Sequence, residues 1–226
     1  MNGTEMTRFH APEPRKRHAA LTAFLVVLAV LIAAFGIVAG LVFSDPLEGK
    51  GYEKLTPSDG LAKTFAESVV KQSECSFSKN EINGYLSYLF QKHDVGAEKR
   101  GLKLLSAAVT EGSGDSANLY LPTEYYDKRF GVLLNITPSL DQSNGRLLFR
   151  VNGAHVGRMP VSPEWLLQKV KSRLPDGFLL DKNTVSCKSP AVSVSILTVT
   201  ASANLREFKM ENGTLKTAAA LQISVG

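Results

Sequence analysis

The longest feature of the hydrophobic pattern is an apolar run over residues 19–43, which contains no charged side chain. At about 1.5 Å of rise per residue, a helix of this length crosses a hydrocarbon core of about 30 Å. Arg15, Lys16 and Arg17 precede the run, and Asp45 and Glu48 follow it. Because basic flanks stay in the cytoplasm, the pattern predicts a single-pass helix with residues 44–226 outside the cell membrane.

A cleaved signal peptide is the competing interpretation of this run. Signal peptides usually have an apolar region of about 7–15 residues that ends in a small-x-small site. The run is longer than that, and Phe43-Ser44-Asp45-Pro46 matches such a site poorly. The pattern therefore favours an uncleaved signal anchor. The predicted layout is a cytoplasmic basic tail (1–18), a transmembrane anchor (19–43), a linker (44–56) and an extracytoplasmic domain (57–226).

Beyond the linker, apolar residues first recur with helical spacing. Thr56-Pro57 is typical of a helix start, and Leu61, Phe65 and Val69 follow at intervals of four. Ser78 and Glu81 form a capping box that predicts a second helix over about 79–93. A third helix is predicted from Ser162-Pro163 to about residue 175.

From residue 101 the apolar period changes to two, which predicts strands. The predicted strands cover residues 102–110, 117–126, 130–140, 146–156, 183–197, 201–210 and 214–224. Asp141-Gln-Ser-Asn-Gly145 predicts a hairpin turn between two of them. Helices followed by runs of strands indicate a single α+β domain with a curved, mostly antiparallel sheet packed on helices.

The charge of the exported part is nearly balanced. Four of the 26 Lys and Arg and two of the 21 Asp and Glu precede residue 44, so residues 44–226 carry a net charge of +3. The basic residues are interspersed with acidic ones instead of clustered, which excludes a nucleic-acid footprint. The two cysteines, Cys75 and Cys187, permit one disulfide in an oxidising compartment, or they are buried free thiols; both interpretations stay open.

The chain contains none of the common catalytic motifs. It has no Gly-x-Ser-x-Gly elbow, phosphate loop or dinucleotide fingerprint. Two histidines, His93 and His155, lie beyond the anchor and share no ligand-like spacing with the cysteines. We therefore expect a protein that is not an enzyme and that holds no metal or cofactor.

Several predicted strands are more apolar than a sheet with one wet face requires. The predicted lining of an apolar ligand site consists of Leu119, Leu121, Leu134 and Trp165. The alternative is an edge strand and a helix that simply pack on a sheet.

Three segments together resemble a known family. They are Phe77-Ser78-x-x-Glu81-Ile82-Asn83-x-Tyr85-Leu86, Asn144-Gly145-Arg146-Leu147 and Val156-Gly157-Arg158-Met159-Pro160-Val161-Ser162-Pro163. With one membrane span before them, they resemble the YpmS-like family of uncharacterised membrane-anchored proteins of Gram-positive bacteria, over about residues 20–200. The basic head is longer here and the cysteines are additional. The resemblance implies no catalytic residue or cofactor, and its helix-and-curved-sheet layout is similar to tubular lipid-binding modules.

Two functions follow as hypotheses. In the first, the anchored domain binds a lipid or another apolar envelope ligand by burial. In the alternative, it is a scaffold that docks onto another cell-envelope protein, for instance through Tyr125-Tyr126. An enzyme with an unrecognised site at His155 or Glu124 is the third and weakest hypothesis.

Overall fold

The computed structural model describes residues 16–52, 54–92, 101–171, 174, 177–189, 191–196 and 199–225. For residues 16–25, 191–196, 199–203 and 221–225 it describes the backbone alone. Most of the predicted basic tail, residues 1–15, lies outside the described part. The chain divides into two units, Met1–Gly40 and Leu41–Gly226.

The first unit contains most of helix α1, Lys16–Val42. The predicted membrane span begins within this helix, and the side chains of its residues 19–25 lie outside the described part. Among the helices whose side chains are described, none is long and apolar enough to cross a membrane. The anchor over residues 19–43 therefore stays a prediction.

The second unit is α+β, as the sequence predicts, and its antiparallel sheet is curled. Its helices are α2 (Gly60–Lys71), α3 (Lys79–Lys92) and α4 (Pro163–Val170). Its strands are β1 (Cys75–Phe77), β2 (Leu102–Leu104), β3 (Ala108–Thr110), β4 (Ala117–Tyr125), β5 (Lys128–Asp141), β6 (Arg146–Val156), β7 (Met159–Val161), β8 (Leu179–Asp181), β9 (Thr184–Lys188), β10 (Ala191–Ile196), β11 (Val199–Glu211) and β12 (Thr214–Val225).

The strands form two sheets. The small sheet has the order β1-β12-β11-β10, and the large sheet has the order β2-β4-β5-β6-β9-β8, with β3 beside β4 and β7 beside β6. Each described strand pairing is antiparallel. The strands β1, β7 and β8 were not predicted, because three residues are too few to show an alternating pattern.

Helix α3 begins as its capping box predicts. The backbone N–H and the hydroxyl of Ser78 donate to the Glu81 carboxylate at 2.8 and 2.7 Å. These bonds hold the pKa of Glu81 below its usual value. One turn on, the buried amide of Asn83 accepts from the Val109 N–H at 2.6 Å and donates to the Val109 carbonyl at 2.9 Å. Asn83 thereby ties α3 to β3, a role that the helical pattern does not reveal.

Helix α2 begins three residues later than its sequence predicts. Thr56-Pro57 is not its start, because the chain before the helix is held against α3. The Ser58 N–H donates to the Gly84 carbonyl at 2.9 Å, and the Ser87 hydroxyl donates to the Leu55 carbonyl at 3.0 Å. These tertiary bonds hold Leu55 and Ser58 against α3, so the helix begins only after them, despite the proline at position 57.

The segment predicted to be a linker, residues 44–56, is not separate from the domain. It packs on the large sheet. The Gly131 N–H donates to the Ser44 carbonyl at 3.3 Å, and the Ser106 hydroxyl donates to the Tyr52 carbonyl at 3.0 Å. The predicted strand 102–110 is divided into β2 and β3 at this point, on either side of Ser106. We call residues 41–52 the strap.

A bulge in β6 adjusts which side chains face the core. Ile136 pairs with Val151 while Asn135 pairs with Gly153, so Asn152 is the extra residue. Its side-chain amide donates to Asn135 Oδ1 at 3.0 Å and to the Thr137 hydroxyl at 2.8 Å. Because of the extra residue, both Val151 and Ala154 are buried, at 2% exposure each.

The strap enters the sheet at Gly157, in the turn between β6 and β7. The Arg158 N–H donates to the Leu41 carbonyl at 2.8 Å. Gly157 has a φ of +61°, and a Cβ atom there would overlap the carbonyl oxygens of Leu41 and Val42. Only glycine leaves room for the strap at this turn.

We expect Gly157→Ala to destabilise the domain by about 2 kcal/mol more than Gly145→Ala. Gly145 is the matched control, since its φ is +57° and nothing lies within 4 Å of its added Cβ. Both variants carry the cost of the backbone conformation, and only Gly157→Ala also displaces the strap. Chemical denaturation measures the difference, and equal losses would show that the strap does not press on this turn.

Candidate apolar ligand site

Three of the four predicted lining residues share one face of the large sheet. Leu119 of β4 lies directly opposite Leu134 of β5, and Leu121 lies two residues further along β4. Side chains two residues apart on a strand point to the same side, so the three leucines form one patch. All three are half-buried.

The patch continues onto neighbouring positions of the same face. Leu121 lies opposite Val132, which in turn lies opposite Val156 of β6. Both valines are also half-buried. We call Leu119, Leu121, Val132, Leu134 and Val156 the apolar face. Each of these five side chains keeps part of its surface accessible, while Ala154, which lies opposite Leu134 on the same face, is 2% exposed.

The opposite face of the same strands is closed. Tyr120, between Leu119 and Leu121, is 1% exposed, and its cross-strand partner Ala108 is 0% exposed. The strap covers this side, since the Tyr52 ring meets the Tyr120 ring edge-on with 5.7 Å between the centroids. The largest side chain of this face is thus fully covered, while the leucines on the other face keep part of their surface accessible.

The hydroxyl of Tyr120 is the polar centre of the closed face. It donates to the carboxylate of Asp45, with both oxygens at 2.6 Å. Asp45 Oδ1 also accepts from the Leu47 N–H at 3.1 Å, which fixes the strap backbone beside the carboxylate. A hydrogen bond to a charged acceptor is the strong kind, and here it satisfies a hydroxyl that burial cuts off from bulk water.

Away from the leucines, the same side of the large sheet meets the small sheet. Phe149 of β6 contacts Phe208 of β11 edge-on, with 5.9 Å between the ring centroids. Val151 and Leu147, which share the side of Phe149, are 2% and 8% exposed. The second sheet thus covers one end of this side and leaves the apolar face at the other end less covered.

Trp165, the fourth predicted lining residue, is not part of this strand patch. It lies in the first turn of α4, which contacts β6, and its N–H donates to the Ser162 hydroxyl at 3.3 Å. Its side chain is 54% exposed, and the Lys169 ammonium lies 5.8 Å from the ring centroid. Its helical neighbour Leu167 is buried instead, at 6% exposure.

One open cavity of about 500 Å³ lies elsewhere, between the end of α2 and the small sheet. Its lining is polar and includes Gln72, Glu74, Gln142, Arg206 and Glu207. None of the predicted lining residues borders it. Its chemistry does not suit an apolar ligand.

Both cysteines are free thiols, so the disulfide that the sequence permits is not formed. Cys75 lies in the small sheet, where its sulfur accepts from the Ser68 hydroxyl at 3.3 Å and lies 3.0 Å from Thr217 Oγ1. Cys187 lies in the large sheet opposite Leu147. Burial raises the pKa of Cys187, and the nearby Arg146 guanidinium partly offsets this rise.

The remaining candidate groups do not converge. His155 is exposed on β6, opposite Leu133. Within the described residues, no group of three or more His, Cys, Asp or Glu side chains is close enough to hold a metal ion. Comparisons of the chain with protein families, curated proteins and solved structures find no match. The resemblance to the YpmS-like family therefore stays a prediction.

The Tyr120–Asp45 bond is expected to couple the strap to the sheet. A double-mutant cycle of Tyr120→Phe and Asp45→Asn should give a coupling free energy of about 1.5–3 kcal/mol in chemical denaturation. The reason is that each substitution alone leaves one buried or charged partner unsatisfied. Strictly additive losses would contradict a direct bond between the two side chains.

The thiols provide a second prediction. Chain purified without reductant should react at both Cys75 and Cys187 when it is denatured, as counted by mass after alkylation. In the folded chain at about pH 8, Cys187 should react more slowly than after denaturation, because its raised pKa lowers the thiolate fraction. A denatured chain that takes up no alkylating reagent would contradict the free thiols.

Proposed function

We propose that the chain is a non-enzymatic, membrane-anchored protein whose extracytoplasmic domain binds a lipid or another apolar ligand of the cell envelope. The apolar face of the large sheet is the proposed site, and Trp165 on the neighbouring helix is a candidate for its margin. Membership of the YpmS-like family is part of the same proposal. It rests on the sequence resemblance alone.

The observation that carries the proposal is the partial cover of the leucines on β4. The less covered face of an antiparallel sheet commonly carries polar side chains, because it faces water. Here the closed face reaches 1% exposure at Tyr120, while Leu119 and Leu121 on either side stay half-buried. An apolar ligand would remove this remaining surface from water.

The position of the sheet along the chain also supports the proposal. The predicted anchor ends at Phe43, and the carbonyl of Leu41 is already bonded to the β6–β7 turn of the large sheet. The sheet therefore begins where the predicted anchor ends. A ligand that partitions into the membrane would be concentrated close to the apolar face.

Burial of hydrocarbon is sufficient to drive such binding. Each methylene group that leaves water contributes about 0.8 kcal/mol, so a short stretch of acyl chain on the apolar face offsets the cost of association. The leucines and valines fix no atom of the ligand by hydrogen bonds. We therefore expect selectivity for chain length and shape over headgroup chemistry.

The test is the affinity of the full-length chain, in mild detergent, for a fluorescent fatty acid. Leu121→Asn should weaken the binding by about tenfold, since a polar amide replaces a contacting apolar side chain. Leu179→Asn is the matched control, because Leu179 is a strand leucine that is 58% exposed on β8, away from the apolar face. It should bind the probe as the unchanged chain does.

Thermal unfolding of both variants checks that the fold is kept. Native mass spectrometry of the extracted chain should in addition show a bound lipid mass. A chain that binds no fatty acid, or equal losses in the two variants, would refute the apolar face as a ligand site.

A further inference from the structure

The turn between β4 and β5 holds an aromatic residue in an unfavourable backbone conformation. Tyr125 pairs with Lys128, so Tyr126 and Asp127 are the two central residues of the hairpin turn. Their φ angles are +45° and +62°. Asn, Asp or Gly usually occupies such positions, and a tyrosine there carries a strain cost of about 1–2 kcal/mol.

The unfavourable backbone conformation of Tyr126 does not serve to bury its side chain. Tyr126 is 67% exposed and Tyr125 is 41% exposed, with the two rings edge-on and 4.6 Å between their centroids. We call this pair the aromatic tip. An exposed pair of large rings on a strained turn indicates a contact outside the domain, because neither ring is needed to fill the core.

The ring of Tyr126 is nevertheless fixed in place. Its backbone N–H donates to the Gly101 carbonyl at 3.0 Å. A Cβ atom on Gly101 would come within 2.7 Å of the Tyr126 ring, so the ring lies directly against the bare backbone of that glycine. The tip is therefore presented rigidly, which lowers the entropy cost of a contact.

The aromatic tip lies at the end of the sheet where the strap enters. Asp45 contacts Tyr120 beside Gly131, Ser44 bonds to Gly131, and the Phe43 ring meets the Phe130 ring with 6.1 Å between centroids. Phe43 and Ser44 thus lie beside Phe130 and Gly131, near the start of β5. The residues that precede Phe130 on β5 lead to the tip.

Among the described residues, side chains of both charges lie at the tip and beside it. They are Lys103, Lys128, Arg129, Glu48, Glu124 and Asp127. The Arg129 guanidinium lies 3.5 Å from the Glu48 carboxylate and 3.9 Å from the Glu124 carboxylate. Two of the acidic side chains therefore form ion pairs with Arg129. The tip therefore presents apolar and aromatic surface to solvent.

We propose that the aromatic tip inserts into the headgroup region of the bilayer in which the chain is anchored. This inference rests on the proposed membrane anchor. Phe43 is the last residue of the predicted span, so Phe130 beside it lies at the level of the membrane interface. Tyrosine prefers that level, because its ring enters the apolar boundary while its hydroxyl stays hydrated. The tip then orients the large sheet on the membrane.

The test uses tryptophan fluorescence of the full chain in phosphatidylcholine vesicles that contain acyl-brominated phosphatidylcholine. The native Trp165, the one tryptophan of the chain, is first replaced by Phe. In that background, Tyr126→Trp places the reporter at the tip. Ser143→Trp is the control, because Ser143 lies in the exposed β5–β6 turn, about 40 Å away along β5.

We expect brominated lipid to quench the Tyr126→Trp emission about twofold and to leave the Ser143→Trp emission unchanged. Tyr125→Trp provides a second reporter if the first variant does not fold. Equal quenching at both positions, or none at the tip, would overturn the inference.

Flotation of the vesicles separates this inference from the anchor on which it rests. A chain that floats with the vesicles while its tip stays unquenched keeps the anchor and loses the tip contact. A chain that does not float with the vesicles refutes the anchor, and the tip contact with it.

Discussion

The hydrogen bond from Tyr120 to Asp45 is the interaction on which the organisation of the domain depends. A tyrosine that is 1% exposed must find a partner for its hydroxyl inside the protein, and the strap supplies it as a carboxylate. With Asp45 in place, the strap lies along the sheet and Tyr52 packs on the Tyr120 ring. One side of the large sheet is closed by this arrangement.

The closed side determines which face of β4 keeps accessible apolar surface. Because the strap and its aromatic contacts occupy one face of β4, Leu119 and Leu121 lie on the other face. The small sheet meets the other end of this side, through Phe149 and Phe208. The half-buried leucines are the consequence, and they are the reason to consider an apolar ligand.

The strap also links the site to the predicted anchor. Two glycines, Gly131 and Gly157, lie under it, and an added Cβ at either position would meet strap atoms. A segment seated so closely is part of the domain and not a free linker.

Local patterns in the sequence were sufficient where the deciding contacts are local. The Ser78–Glu81 capping box predicts the start of α3, and the Asp141–Gly145 turn joins β5 and β6 as expected, with the pKa of Asp141 lowered to about 2 by bonds from Ser143 and Asn144. The alternation in β4 and β5 predicts that Leu119 and Leu134 share a strand face. Such features need only neighbours within a few residues, or strands joined by one hairpin.

Long-range contacts decided the rest. The sequence predicts a linker over residues 44–56. Nothing in that segment indicates that Tyr120, 75 positions further on, bonds to the Asp45 carboxylate. In the sequence, Asn83 is one residue of a helical pattern. Nothing in that pattern shows that its side-chain amide bonds to Val109 of β3. The sequence determined the longer helices and strands, the alternation along each strand and the apolar run. Which face is closed, and where the chain is tied down, depends on partners far apart in the chain that only the folded structure brings together.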